Sequence, residues 1–298
     1  MADWGTRALE RSMGAWVRRH MRPAPAEFVM FVLKQGWACL FGGAFLVAIL
    51  LSKAIWHEDW IVARYDALFV FAVVVQVVML VLRLETRDEA KVILLFHLTG
   101  TVMEVFKVQA GSWAYPEDAL LKFWGVPLFS GFMYASVGSY IARAIRVFEM
   151  RFAPYPPFWL AALVASAIYV NFFAHHFLPD IRVGLFAATV LIFWRTRVWF
   201  YVGHDPRWMP MPVSALLSAF ALWVAENVGT FTGTWIYSGQ AAREFVSTGK
   251  LGSWYLLLYV SFVTVTLVSR DALCRTAITP GPREALEKYR PSEEIHGN

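Results

Sequence analysis

Eight apolar stretches follow one another along this chain, at about 28–52, 65–82, 90–108, 123–142, 158–176, 181–200, 210–229 and 250–269. Each is long enough to cross a hydrocarbon core about 30 Å thick. Such a pattern leaves the backbone few options, because peptide groups surrounded by lipid must bond within their own segment or a closed barrel. The expected fold class is therefore all-α: a polytopic membrane helix bundle of about eight transmembrane helices. Composition agrees. Charged residues make up 16% of the chain and hydrophobic residues 58%, whereas a soluble domain carries about 25% charged.

The remaining segments are a basic arm at 1–27 and a charged, Pro-containing tail at 270–298, flanking a membrane domain at 28–269. The arm carries Arg7, Arg11, Arg18, Arg19 and Arg22 without an apolar core before Pro23, so it does not read as a cleavable signal peptide. Trp4, Leu9, Met13, Trp16 and Val17 could share one face of a helix on the membrane surface, or the arm could be disordered.

Lys and Arg alternate between the loops in the way that orients membrane proteins. With the N-terminus inside, Arg83, Arg87, Arg143, Arg146, Arg151, Arg195, Arg197 and Arg207 all fall on the cytoplasmic side. Each outer loop is poorer in Lys and Arg than each inner one, which places both termini in the cytoplasm. The net charge of +5 reflects this orientation. The expected partner is the lipid bilayer, and no nucleic acid is expected; the oligomeric state is not set by the sequence. Cys39 and Cys274 lie far apart and read as unpaired.

One motif occurs twice. Glu-x6-Gly-x-Trp-x-Tyr appears as Glu104, Gly111, Trp113, Tyr115 and again as Glu226, Gly233, Trp235, Tyr237, with an offset of 122 residues throughout. That offset lays the third stretch on the seventh and the fourth on the eighth. It implies a tandem parallel repeat of two four-helix units, at 28–149 and 150–269. Both glutamates fall inside apolar stretches, near the outer surface, where a carboxylate is costly and usually functional. Trp113, Tyr115, Trp235 and Tyr237 read either as an interfacial belt or as ligand contacts.

His97 precedes Glu104 by seven residues and Lys107 follows by three, so both can share its helical face. Lys107 could neutralise Glu104, but the second copy has Gly229 there. Asn227 adjoins Glu226. Asn171 with His175, and His176 with Asp180, stand four residues apart at the same outer end. These could ligate a metal or simply mark the interface. The other histidines, apart from His97, lie outside the spans, so no metal and no cofactor is expected.

The strings FHLTGTVMEVFK, GSWAYPE, GVPLFSGFMYASVGSYIAR, IYVNFFAHHFLPD, FAATVLIFWRT, AENVGTFTGTW and KLGSWYLLLYVSFV resemble the YoaT-like family of bacterial integral membrane proteins, domain of unknown function 817. The resemblance covers roughly residues 28–270. It implies a multi-pass protein of the cell inner membrane and supplies no activity. More faintly, Glu104, Gly111, Tyr115 and Gly125-Val126-Pro127 are similar to a motif of membrane carotenoid hydratases and of heterodimeric-type lycopene cyclase domains. In those families an acid protonates a polyene. The chain departs from both: it lacks the hydratase Pro-Phe-Gly turn, and Leu128, Phe129 and Ser130 follow Pro127 where the cyclases carry paired glutamates.

Three functions stay open on this reading. The first is a membrane-embedded enzyme acting on an isoprenoid or other lipid. Glu104, Glu226, His97, His175 and His176 would be its catalytic candidates, and Trp113, Tyr115, Trp235, Tyr237, Asn171, Asn227 and Lys107 its substrate-binding candidates. The second is a proton-coupled small-molecule transporter. The third is a structural or assembly protein whose glutamates only bond between helices.

Overall fold

The computed structural model describes residues 16, 19–57, 59–175, 177–239 and 244–281. The outer parts of the arm and tail, including Trp4, Leu9, Met13 and Val17, lie outside the described residues. Helices α1 (Pro23–Ala38), α2 (Leu40–Ile55), α3 (Arg64–Val81) and α4 (Arg87–Gln109) come first. Strand β1 (Trp113–Ala114), the hairpin β2 (Lys122–Phe123) and β3 (Val126–Pro127), and helix α5 (Phe129–Val147) follow. Then come β4 (Arg151–Ala153), α6 (Phe158–Ala174), α7 (Arg182–Phe193), β5 (Arg197–Tyr201) and β6 (Pro206–Pro210). Helix α8 (Met211–Phe231), β7 (Ile236–Tyr237) and α9 (Thr248–Val265) come last in the bundle.

The protein is mostly helical, as its apolar pattern requires. Helices α3, α4 and α8 are long and apolar enough to cross a membrane, and α1 with α2 would be a fourth if counted as one broken span. Their outer faces carry aliphatic stripes at helical spacing. Val70, Val74, Val77 and Val81 are exposed on α3, and Val213, Leu217, Phe220 and Val224 on α8. Monomeric soluble proteins rarely leave such contiguous apolar surface uncovered.

Three expected boundaries are corrected. The stretch 28–52 is two helices bent by 74° around Cys39. Polar side chains anchor α1 in its own direction: Lys34 donates to the Tyr201 carbonyl at 2.8 Å, and Gln35 accepts from Tyr140 OH at 3.2 Å. The stretch 181–200 leaves its helix at Phe193, since Arg195-Thr196-Arg197 interrupts the apolar run. The β-branched and aromatic residues that follow join the antiparallel sheet β4-β5-β6 instead. The stretch 123–142 enters its helix only at Phe129. Before that, Trp124 (φ 48°) and Gly125 (φ 82°) make a two-residue hairpin turn, and both adopt positive φ so that the strands can pair.

Helix α4 starts at a capping box. Thr86 Oγ1 accepts from the Glu89 amide at 3.2 Å, and Glu89 Oε2 accepts from the Thr86 amide at 2.7 Å. Helix α5 lies at the centre, against α1, α2, α3, α4 and α9. It approaches α4 closely through glycine: a Cβ on Gly131 would collide with Thr101 Oγ1 and lie 2.7 Å from the His97 carbonyl.

Arg143 on α5 is 0% exposed. Its guanidinium donates to the Trp37 carbonyl at 2.8 and 3.2 Å and to the Leu84 carbonyl at 3.1 Å. It thereby satisfies carbonyls at the end of α1 and just beyond α3. Nearby, Glu85 accepts from Gln76 at 2.6 Å and from Ser139 at 2.7 Å. Arg143→Met keeps much of the volume but removes both bonds to the Trp37 carbonyl and leaves the Leu84 carbonyl to Arg146 alone, at 2.9 Å. A stability loss of about 3 kcal/mol is expected, read as a lower melting temperature in detergent. An unchanged melting temperature would show that the bonds are dispensable.

Candidate functional site

The repeated motif is a way of folding an indole and a phenol back onto a carboxylate. In each copy the glycine ends a helix. Gly111 (φ 69°) and Gly233 (φ 65°) hold the left-handed conformation that an L side chain resists. The Gly111 amide bonds the Val108 carbonyl and the Ser112 amide that of Lys107; in the second copy Gly233 bonds Thr230 and Thr234 bonds Gly229. This is the Schellman pattern of a helix end. The chain then reverses in extended form, where alternate residues share a face. Trp and Tyr, two positions apart, both turn back toward the glutamate.

The resulting cages match. Glu104 accepts from Trp113 Nε1 at 2.7 Å, Tyr115 OH at 2.8 Å and Tyr134 OH at 2.6 Å. Glu226 accepts from Trp235 Nε1 at 2.8 Å, from Tyr237 OH, and from Trp254 Nε1 at 3.2 Å. The third donor comes from the next helix of the bundle in both cases: Tyr134 from α5 and Trp254 from α9. These two rings lie 6.3 Å apart. Both carboxylates are buried, Glu104 at 2% and Glu226 at 7% exposure.

The two motifs are joined to each other. Strands β1 and β7 pair antiparallel, with Trp113 opposite Tyr237 and Ala114 opposite Ile236. Arg64 on α3 ties both turns from one side. It holds Glu117 through two bonds of 2.8 Å and reaches Thr234 Oγ1 at 3.2 Å, while Tyr65 OH donates to the Thr234 carbonyl at 2.7 Å.

A cavity of about 690 Å³ opens below this pair and is lined by both glutamates. Its walls are mostly apolar. They run along α5 and its C-terminal end, from Met133 to Phe148, and along α8 from Ser214 to Glu226. At 1.5 Å per residue that is roughly 20 Å. Volume and lining fall within the usual range for a small-molecule site, about 300–1,000 Å³.

Six residues singled out in the sequence meet here: Glu104, Trp113, Tyr115, Glu226, Trp235 and Tyr237. Others do not line the cavity. His97 packs on Phe132 at 4.3 Å between ring centroids, and its Nδ1 is buried without a hydrogen-bond partner among the described residues. His175 caps α6, its Nδ1 3.1 Å from the Asn171 carbonyl. His176 lies outside the described residues. Asn171 binds Asp180 and the Ile181 amide, both at 3.1 Å, and so shapes the turn into α7. Arg182 beside Asp180 holds that carboxyl well below the usual carboxylate range. Asn227 bonds the Trp223 carbonyl and the Val246 amide. Lys107 places its ammonium 4.1 Å from the Phe172 ring centroid. The groups that bond Glu104 are therefore indole and phenol, and not the lysine three residues on.

Sequence reasoning missed Tyr134, Trp254 and Lys250. The first two follow their glutamates by 30 and 28 residues, a near match that a fixed offset does not capture. Lys250 lies near the start of α9, 3.8 Å from the Tyr237 ring centroid and 5.5 Å from that of Trp113.

Fold and site together define a largely helical protein, with several helices able to cross a membrane and a glutamate pair at the head of an apolar cavity. The chain belongs to the DUF817 family: the model of that family, a protein of unknown function, matches residues 27–262. It is 42% identical over 240 residues to the uncharacterized protein YoaT of Bacillus subtilis (strain 168), an alignment covering 80% of this chain and 90% of the relative. Among solved structures, a chain of a cross-linked MvINS trimer aligns with a TM-score of 0.45 and 14% identity. That alignment covers 62% of this chain and 95% of the other, a likeness too slight to inform the site.

Proposed function

We propose that this is a multi-pass protein of the bacterial inner membrane, with both termini cytoplasmic, that performs proton chemistry on an isoprenoid or other long apolar lipid. On this reading the chain crosses about eight times, the broken pair α1–α2 counting once and α3 to α9 once each; support comes from α3, α4 and α8, which are long and apolar enough to cross. Two four-helix units, each ending its third traverse in the Glu-x6-Gly-x-Trp-x-Tyr turn, are read as a tandem duplication. The observation that carries the function is the placing of Glu104 and Glu226 at the head of one largely apolar cavity. A carboxyl group there can exchange a proton with a substrate that water does not reach, and the indole and phenol faces around it favour a developing cation. A proton-coupled carrier for small polar solutes would want a polar cavity, which the lining does not provide.

The test is Glu104→Gln and Glu226→Gln, singly and together, in cells producing the protein. Extracted lipids and pigments are compared by mass spectrometry. The expected result is loss of a lipid product, or build-up of its precursor, in each variant while the protein remains in the membrane. Unchanged lipid profiles in all three, with lowered thermal stability, would assign the glutamates to packing alone.

A further inference from the structure

Several residues that line the cavity are also exposed to a molecule of solvent size. Cys39, Gly43, Leu217 and Ala221 have this double character. Cys39 and Gly43 stand at the start of α2, and Leu217 and Ala221 on α8, so the cavity opens sideways between these two helices. The opening is set in small side chains: Gly42, Gly43, Ser214, Ser218 and Ala221. It is flanked by the exposed aliphatic stripe of α8, the surface that the proposed bilayer would cover. A solute arriving from water would have no reason to use such a route. A lipid chain would meet no charged barrier on it.

At the head of the cavity one group has donors to spare. The two glutamates are satisfied by six N–H and O–H donors. Lys250 lines the same space with an ammonium that carries three donors. It lies over the Tyr237 and Trp113 rings and is attracted electrostatically by Glu226. That ammonium makes no hydrogen bond among the described residues.

We infer that the cavity takes a single-chain lipid directly from the bilayer, through the slot between α2 and α8, and holds an oxygen of its head on Lys250. Resting on the reading of the site given above, this supplies the substrate's shape and its route. The chain lies along α5 and α8 for roughly 20 Å, more than the half-thickness of a core about 30 Å deep. The head oxygen accepts from Lys250, which places the first carbons of the chain beside Glu104 and Glu226.

The probe is 9,10-dibromostearate, added to the purified full chain in phospholipid nanodiscs. Its bromines quench indole fluorescence, and Trp113, Trp235 and Trp254 line the cavity. Wild type is expected to show saturable quenching above the linear background of partition into the disc. Lys250→Met should weaken it about tenfold, as loss of one charge-assisted bond does, and Lys250→Arg should restore it. Ala221→Trp and Gly43→Trp should each slow or abolish it. In a Cys274→Ser background, bound stearate should protect Cys39 from a lipid-soluble maleimide. Each variant is checked by size exclusion and melting, and a misfolded one is replaced by Leu217→Trp. Quenching that Lys250→Met leaves unchanged would overturn the head contact. Quenching that both Trp substitutions leave unchanged would overturn the route; neither result touches the apolar-site reading. No saturable quenching in wild type would overturn both that reading and this one. Binding as inferred, with unaltered lipids in the glutamate variants, would remove only the proposed chemistry.

Discussion

Gly229→Ala is expected to destabilise the protein by about 3 kcal/mol or more. A Cβ at Gly229 would overlap the six-membered ring of Trp235. That ring cannot swing aside cheaply. Trp235 is buried at 7% exposure, and its Nε1 is committed to Glu226 at 2.8 Å. Either the helix end shifts or the indole lets go of the carboxylate, and both cost free energy. The measurement is thermal melting in detergent, paired with the same substitution in a Trp235→Leu background. There the added methyl meets a smaller, flexible neighbour and should cost under about 1 kcal/mol, because the two residues act as one unit. Equal losses in both backgrounds would show that the close contact is not what Gly229 provides.

The second large effect concerns the cages themselves. Glu226→Leu removes the acceptor of Trp235, Tyr237 and Trp254 at once. Stranding a buried donor costs about 1–3 kcal/mol, so a loss of about 4 kcal/mol is expected for the three, and the same for Glu104→Leu. Glutamine keeps one acceptor oxygen and should lose only about half as much. The ranking wild type, Gln, Leu in melting temperature checks this. If Leu were as stable as Gln at both sites, the donors would be finding other partners and the cage would not hold the fold. The Gln variants therefore suit the lipid test, since they would disturb the proposed proton chemistry more than the packing.

What the chain reveals before folding is governed by how local the cause is. The glutamate, the helix-ending glycine and the returning Trp and Tyr lie within twelve residues, so one short string encodes most of each cage. The third donors do not. Tyr134 and Trp254 reach their glutamates from a neighbouring helix, and their spacings of 30 and 28 residues differ because the intervening loops differ. Lys250 stands at the first position of the last apolar stretch with nothing in the sequence to tie it to the motif, yet its long stem carries it over two rings. Hydropathy marked the apolar stretches but is blind to direction. It gave no sign of the bend at Cys39, which depends on the distant partners Tyr201 and Tyr140. His97 and Asn171 stood at suggestive spacings, but a shared helical face does not say what that face meets. For His97 it meets Phe132, and for Asn171 the turn into α7.

The short ladder between β1 and β7 has one more consequence. Ala114 and Ile236 are 122 residues apart, so each faces its own counterpart across the pair. A contact in which equivalent residues meet is isologous, the kind two identical subunits make around a two-fold axis. Here one chain supplies both sides, as though a homodimer had been fused. An axis between two acids would offer a substrate two equivalent ways to lie. Lys250 removes that ambiguity, because in the register that lays Tyr134 on Trp254 the uncharged Ser130 occupies the matching place in the first copy. The pair of acids is nearly symmetric; the head of the cavity is not, and a lipid held on Lys250 as inferred above would have a single orientation beneath it.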